Sequence, residues 1–196
     1  MRHRDSLLPS GIEAVFLRGL RPLVLRGAIA LAFAALLLAW RAIPLSRLAL
    51  LFGAYALVDG LISVAMVAPR PEHRHAWLLV VEGFAGIGIG LAALLQREVS
   101  MPVLVNLIGF WAVAIGTFQI LLLMAAISVR QETLGALMLA MNGGTSMVLG
   151  LALLWWPEAV GRMLVLLLGC YELVSGVSTL SLALAAGRRP LLHRPS

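Results

Sequence analysis

Six long apolar stretches, at roughly 23–40, 45–68, 76–96, 102–127, 133–156 and 160–186, alternate with short breaks that carry charge, proline or glycine. Each reaches or exceeds the roughly 20 residues that a helix needs to cross a bilayer. Nothing alternates with period two, as the strands of a membrane barrel would, and a helix is the other way to satisfy a backbone in lipid. The pattern predicts an all-α membrane protein with six transmembrane helices, arranged as three tandem helical hairpins. A single transmembrane domain is expected over 23–187, between polar, arginine-bearing tails at 1–22 and 188–196. The first stretch has the look of a signal peptide, but it matches two later stretches in register and is read as a retained span.

That match is one part of an internal repeat. "RGAIALAFAALLLAW" from Arg26, "EGFAGIGIGLAALLQ" from Glu82 and "NGGTSMVLGLALLWW" from Asn142 align at offsets of 56 and 60 residues. Without a gap, Gly27, Gly83 and Gly143 fall in one column, Gly53, Gly109 and Gly169 in another, and Gly60, Gly116 and Gly176 in a third. Tyr55, Trp111 and Tyr171 share an aromatic column, and Ser63, Gln119 and Thr179 a polar one. The repeats span about 23–70, 76–128 and 133–187. Each holds an even number of spans, so all insert alike, and a pseudo-symmetry axis along the membrane normal is expected. Gly53 and Gly60 lie two helical turns apart and so share a face. In lipid, helices associate through close approach at small residues. The odd-numbered helices carry small pairs of their own, Ala30/Ala34, Gly86/Gly90 and Ser146/Gly150. Gly53, Gly60, Gly86, Gly90, Gly109, Gly116, Gly150, Gly169 and Gly176 are therefore read as helix-packing residues.

Composition agrees. The chain has 196 residues, 61% hydrophobic and 12% charged, with a mean hydropathy of +0.99. Soluble domains are about a quarter charged, so the partner expected for this surface is membrane lipid. The net charge of +6 comes from 15 basic residues, all arginine. They flank the apolar runs rather than forming a stripe with aromatics, which speaks for topology and against nucleic acid. Ten lie on the side of the tails and even-numbered loops and four on the other, with Arg26 inside the first span. The positive-inside rule then places both termini in the cytoplasm. Cys170 is the single cysteine. It allows no intrachain disulfide and is expected to be a buried, inert thiol.

The motifs "LLFGAYALVDGLIS", "NLIGFWAVAIGTFQI" and "LLLGCYELVSGVSTL", with Pro44, Pro102 and Pro157 near the hairpin turns, resemble the HdeD-like acid-resistance membrane proteins of bacteria. The resemblance covers about 23–186. It implies an inner-membrane location and a link to survival in acid, and it carries over no functional residue. Arg26 and Glu82 depart from it, since matching repeat positions hold opposite charges.

Five polar side chains lie within the spans: Arg26, Asp59, Glu82, Asn142 and Glu172. Intramembrane ionisable groups cost about 2.5–3.5 kcal/mol each on insertion scales and usually face the protein interior. Repeat symmetry places Arg26, Glu82 and Asn142 at similar depth around one axis. Arg26 is expected to pair with Glu82 or Asp59; snorkelling into the headgroups is the alternative. One arginine against three carboxylates leaves at least one without a cation, and desolvation favours the neutral form of such a group. Asp59 and Glu172 have a plainer reading as interhelical hydrogen-bond partners of Ser, Tyr or backbone groups.

Other chemistry is sparse. Glu72, His73 and His75 in "PEHRHAW" lack a fourth ligand and read as a solvated loop, so no metal site is expected. The histidines lie outside the spans, and "GIGIG" at 86–90 follows no strand, so neither a catalytic site nor a cofactor is expected. Trp40, Trp77, Trp155 and Trp156 sit at span ends, where aromatic belts form. The expected function is that of a non-enzymatic inner-membrane protein of acid or envelope stress, sensing protons through buried carboxylates. Its partners would be lipid and either a second copy or another membrane protein. The alternative is a small transporter or channel with a proton or solute path through the polar layer.

Overall fold

The computed structural model describes residues 11–40, 42–67, 76–96, 100–128, 133–158 and 163–188. They form six long helices: α1 (Gly11–Ala39), α2 (Leu45–Val67), α3 (Ala76–Leu95), α4 (Met101–Ser128), α5 (Thr133–Trp155) and α6 (Leu164–Arg188). Each contains a stretch of 19 to 24 residues apolar enough to cross a membrane. Their boundaries follow local chemistry. The carbonyls of Pro44 and Ser100 accept the first helical bonds of α2 and α4, from Leu48 N and Leu104 N. Pro102 sits in the first turn of α4, where a missing N–H costs nothing. Helix α1 begins at Gly11, ahead of the apolar run, and continues through Pro22 into the span. The polar segment 11–22 is thus helical and continuous with the first span.

The helices close into a ring. α2 packs most extensively on α3, α4 on α5, and α6 returns onto α1; contacts within each hairpin are looser. The glycine columns form these seams. A Cβ added at Gly60 would lie 2.6 Å from Gly83 O, and one at Gly90 would lie 2.6 Å from Leu57 N. The same approach recurs between α4 and α5, where a Cβ at Gly116 would lie 2.8 Å from Met147 N and one at Gly150 2.7 Å from Val113 N. Gly53, Gly86 and Gly109 line the same two seams, and Gly169 and Gly176 face α1 at Leu38 and Leu31. Such backbone contact is the close approach that small residues allow in lipid.

The axis of the ring is filled in layers by matching repeat positions. Leu48, Leu104 and Leu164 form one buried layer and Phe52, Ile108 and Leu168 the next. Above them Tyr55, Trp111 and Tyr171 meet edge-on, with Trp111 centred 5.7 Å from Tyr55 and 6.3 Å from Tyr171. The outside carries Leu61, Phe84, Val148, Leu151 and other exposed apolar side chains, the surface that lipid covers. Trp40, Trp77, Trp155 and Trp156 are exposed at the helix ends. Cys170 is also exposed, contrary to the expected burial. Its neighbours Gly169 and Tyr171 take the inward positions, which turns residue 170 outward.

Candidate functional site

The buried polar side chains converge where the odd-numbered helices begin and the even-numbered ones end. Arg26, on α1, turns inward and is 16% exposed rather than extended toward headgroups. It donates to both Asp59 oxygens, through Nε to Oδ1 at 2.8 Å and Nη2 to Oδ2 at 3.1 Å. Nη2 also donates to Glu82 Oε1 at 2.6 Å. One guanidinium thus joins α1, α2 and α3, and the planar fork matches a carboxylate in the way an ammonium does not. Asn142 occupies the third repeat position and is buried, with its Oδ1 unpartnered among the described residues. Gln119 from α4 is buried beside it, also with an unpartnered oxygen, as is Glu82 Oε2.

Glu172, on α6, stands apart from the arginine. It is fully buried and accepts a hydrogen bond from Tyr55 Oη at 2.5 Å, while its Oε1 has no partner among the described residues. Tyr171 donates instead to Ser146 Oγ at 3.0 Å, and Ser146 donates to the carbonyl of Ala112 at 2.8 Å. Ser63 donates to the carbonyl of Asp59, four residues back on its own helix.

Two spaces touch these groups. A partly open cavity of about 150 Å³ is lined by Arg26, Glu82, Gln119 and Asn142 at its polar side and by Leu79, Leu122 and Leu139 among others. It forms a vestibule at the end of the bundle. A smaller void of about 10 Å³ follows, between Arg26, Asp59, Tyr55 and Tyr171, which is room for about one water molecule. Past the Tyr–Trp layer, the buried Phe52, Ile108 and Leu168 close the axis.

Of the five polar residues singled out from the sequence, Arg26, Asp59 and Glu82 meet directly, Asn142 lines the cavity with them, and Glu172 lies beyond, held by Tyr55. The reading of Glu172 as an interhelical partner of Ser, Tyr or backbone groups holds with Tyr55 as the donor; which tyrosine it would be, and the part of Ser146, did not stand out in the sequence. Their signal is a broken column: at offsets of 56 and 60, Glu172 takes a position that holds Ala56 and Ala112 in the other repeats. The loop with Glu72, His73 and His75 lies outside the described residues. Among the described residues no three acidic, histidine or cysteine side chains are grouped as a metal site would need.

Tyr55→Phe should lower stability by about 1–3 kcal/mol, because it removes the donor to a buried carboxyl group. Tyr171→Phe leaves the Ser146–Ala112 bond in place and should cost less. Unfolding midpoints in detergent compare the two, and equal losses would show that the Tyr55–Glu172 bond has no special weight.

The sequence profile of a family described as "Short repeat of unknown function (DUF308)" matches residues 25–95 and 141–192, which include all of α2, α3 and α6, most of α5 and the second half of α1. Comparison with the curated proteins gives no match. Comparison with the solved structures gives none either.

Proposed function

This chain belongs to the DUF308 short-repeat family, which contains the HdeD-like membrane proteins, and from that premise we propose a non-enzymatic inner-membrane protein of acid or envelope stress that binds protons at its buried carboxylates. The observation that carries this reading is the charge count. Arg26 is bonded to both Asp59 and Glu82, and among the described residues Glu172 has only a tyrosine hydroxyl. With all three carboxyl groups ionised, the cluster would hold one positive and three negative charges in a region that water barely reaches. A bound proton offsets an uncompensated negative charge at far lower cost than leaving it in lipid. The unpartnered oxygens Glu82 Oε2 and Glu172 Oε1 are the atoms free to take it. On the arginine count the vestibule faces the cytoplasm, so acidification there would be the signal.

Infrared difference spectra of the purified protein, recorded between acidic and neutral pH, test this. A protonated-carboxyl band that changes with pH and loses intensity in Glu172→Gln or Glu82→Gln supports the reading. Spectra that are the same in wild type and both variants defeat it.

The vestibule favours a second reading, in which protons or a small solute cross along the axis. The apolar layers beyond the tyrosines oppose it, since they would have to part. Liposome flux at acidic and neutral pH separates the two. A flux abolished by Glu82→Gln would favour transport, and tight liposomes with a pH-dependent infrared band would favour proton binding alone.

A further inference from the structure

We propose that the vestibule binds a primary alkylammonium ion, a small protonated amine whose head sits on Glu82, Gln119 and Asn142. Three buried oxygens, Glu82 Oε2, Gln119 Oε1 and Asn142 Oδ1, have no hydrogen-bond donor among the described residues. Their side chains are 3%, 7% and 8% exposed residues on three successive helices, and all three line the same cavity. An amide flip exchanges oxygen and nitrogen without moving the chain, so Gln119 and Asn142 can each turn an acceptor to the space. Arg26 is already committed to Glu82 Oε1 and both oxygens of Asp59, and so leaves Oε2 unserved.

A primary ammonium has three N–H donors and one positive charge. Three donors meet three acceptors, and the added charge brings Arg26, Asp59 and Glu82 to neutrality. A divalent metal suits the site poorly, because it would find a single free carboxylate oxygen where such ions gather several. An alkali ion would satisfy the charge, yet it has nothing to set against the cavity's apolar wall. That wall, built by Leu79, Leu122, Leu139, Met66 and Met138, accepts a short alkyl chain. The volume fits as well, since a cavity of about 150 Å³ is one that takes up a molecule the size of benzene. This site does not involve Glu172, but it shares Glu82 Oε2 with the proton proposed above, so the ammonium binds with Glu82 ionised and the titration is run at neutral pH.

Calorimetric titration of the full chain in nanodiscs with n-butylammonium chloride tests the proposal, with empty discs subtracted. Saturable binding is expected, absent with sodium chloride or 1-butanol at the same concentrations. Asn142→Leu and Gln119→Leu keep the Arg26 pairs, and each should weaken binding about tenfold or more, the loss expected for one hydrogen bond to a charged donor. Unfolding midpoints establish that the variants are folded, and either one suffices if the other is not. No saturable heat in wild type overturns the proposal, as does undiminished binding in a folded variant. Equal binding of sodium or butanol overturns the choice of an ammonium.

Discussion

Replacing Arg26 with alanine should destabilise the bundle by about 3–5 kcal/mol, the loss typical of removing one partner from a buried ion pair. The effect is expected at the upper end because a single guanidinium serves two carboxylates, Asp59 on α2 and Glu82 on α3. Without it, two buried negative charges face each other across the α2–α3 seam. Deleting the charges as well should recover much of the loss: Arg26→Leu combined with Asp59→Asn and Glu82→Gln replaces ions by neutral groups that can bond to each other. Unfolding midpoints in detergent measure both variants. An Arg26→Ala protein as stable as wild type, with Asp59 and Glu82 intact, would mean that the pairing contributes nothing. A triple variant no better than Arg26→Ala would place the cost in lost packing of the arginine stem, not in charge.

The scaffold was legible in the sequence because its cause is local. A run of apolar residues long enough to span lipid has one stable backbone solution, and the columns headed by Gly53 and Gly60 announced faces where backbones touch. What those columns could not give was the partner. Small residues on both helices of a hairpin say that each packs tightly, and short loops suggest that they pack on each other. In the structure Gly60 meets Gly83 across α2 and α3, Gly116 meets Gly143 across α4 and α5, and Gly176 meets Gly27 as the ring closes. Pairing between repeats depends on every helix at once, which no single window of sequence contains. The site shows the same division. Arg26, Asp59 and Glu82 stood out because charge in an apolar run is costly wherever it lies. A tyrosine was among the partners expected for Glu172, but not Tyr55 in particular, because the two lie 117 residues apart and only the closed ring brings them together.

The repeat explains why the polar groups meet at all. Matching positions on three hairpins converge on one axis, where some columns repeat one residue and others do not. Leu48, Leu104 and Leu164 keep their column uniform, and the axis there is closed. Arg26, Glu82 and Asn142 break theirs with three different chemistries, and the axis there is open. Symmetry supplies the framework, and the breaks supply the site.

Seam and site share one location, which makes glycine substitutions there unusually costly. Gly60 follows Asp59, and Gly83 follows Glu82. In Gly60→Ala the new Cβ would lie 2.6 Å from Gly83 O and 2.7 Å from Ile87 N, both backbone atoms that cannot swing aside. The helices have to part, at a cost of about 1–3 kcal/mol for the methyl group alone. Parting them also stretches the Arg26 bridge between Asp59 and Glu82, so the loss should exceed that of Gly169→Ala, whose new Cβ would meet the flexible end of Leu38. A bulkier Gly60→Leu should prevent assembly of the bundle. Gly88, on the same helix as Gly83 and Gly90, has nothing within 4 Å of an added Cβ. Gly88→Ala should be neutral or slightly stabilising, since alanine is the better helix former. Unfolding midpoints for the three alanine variants decide the matter. If Gly60→Ala and Gly88→Ala unfold alike, the seam is slack, and the close approach of α2 to α3 does not hold the charge cluster together.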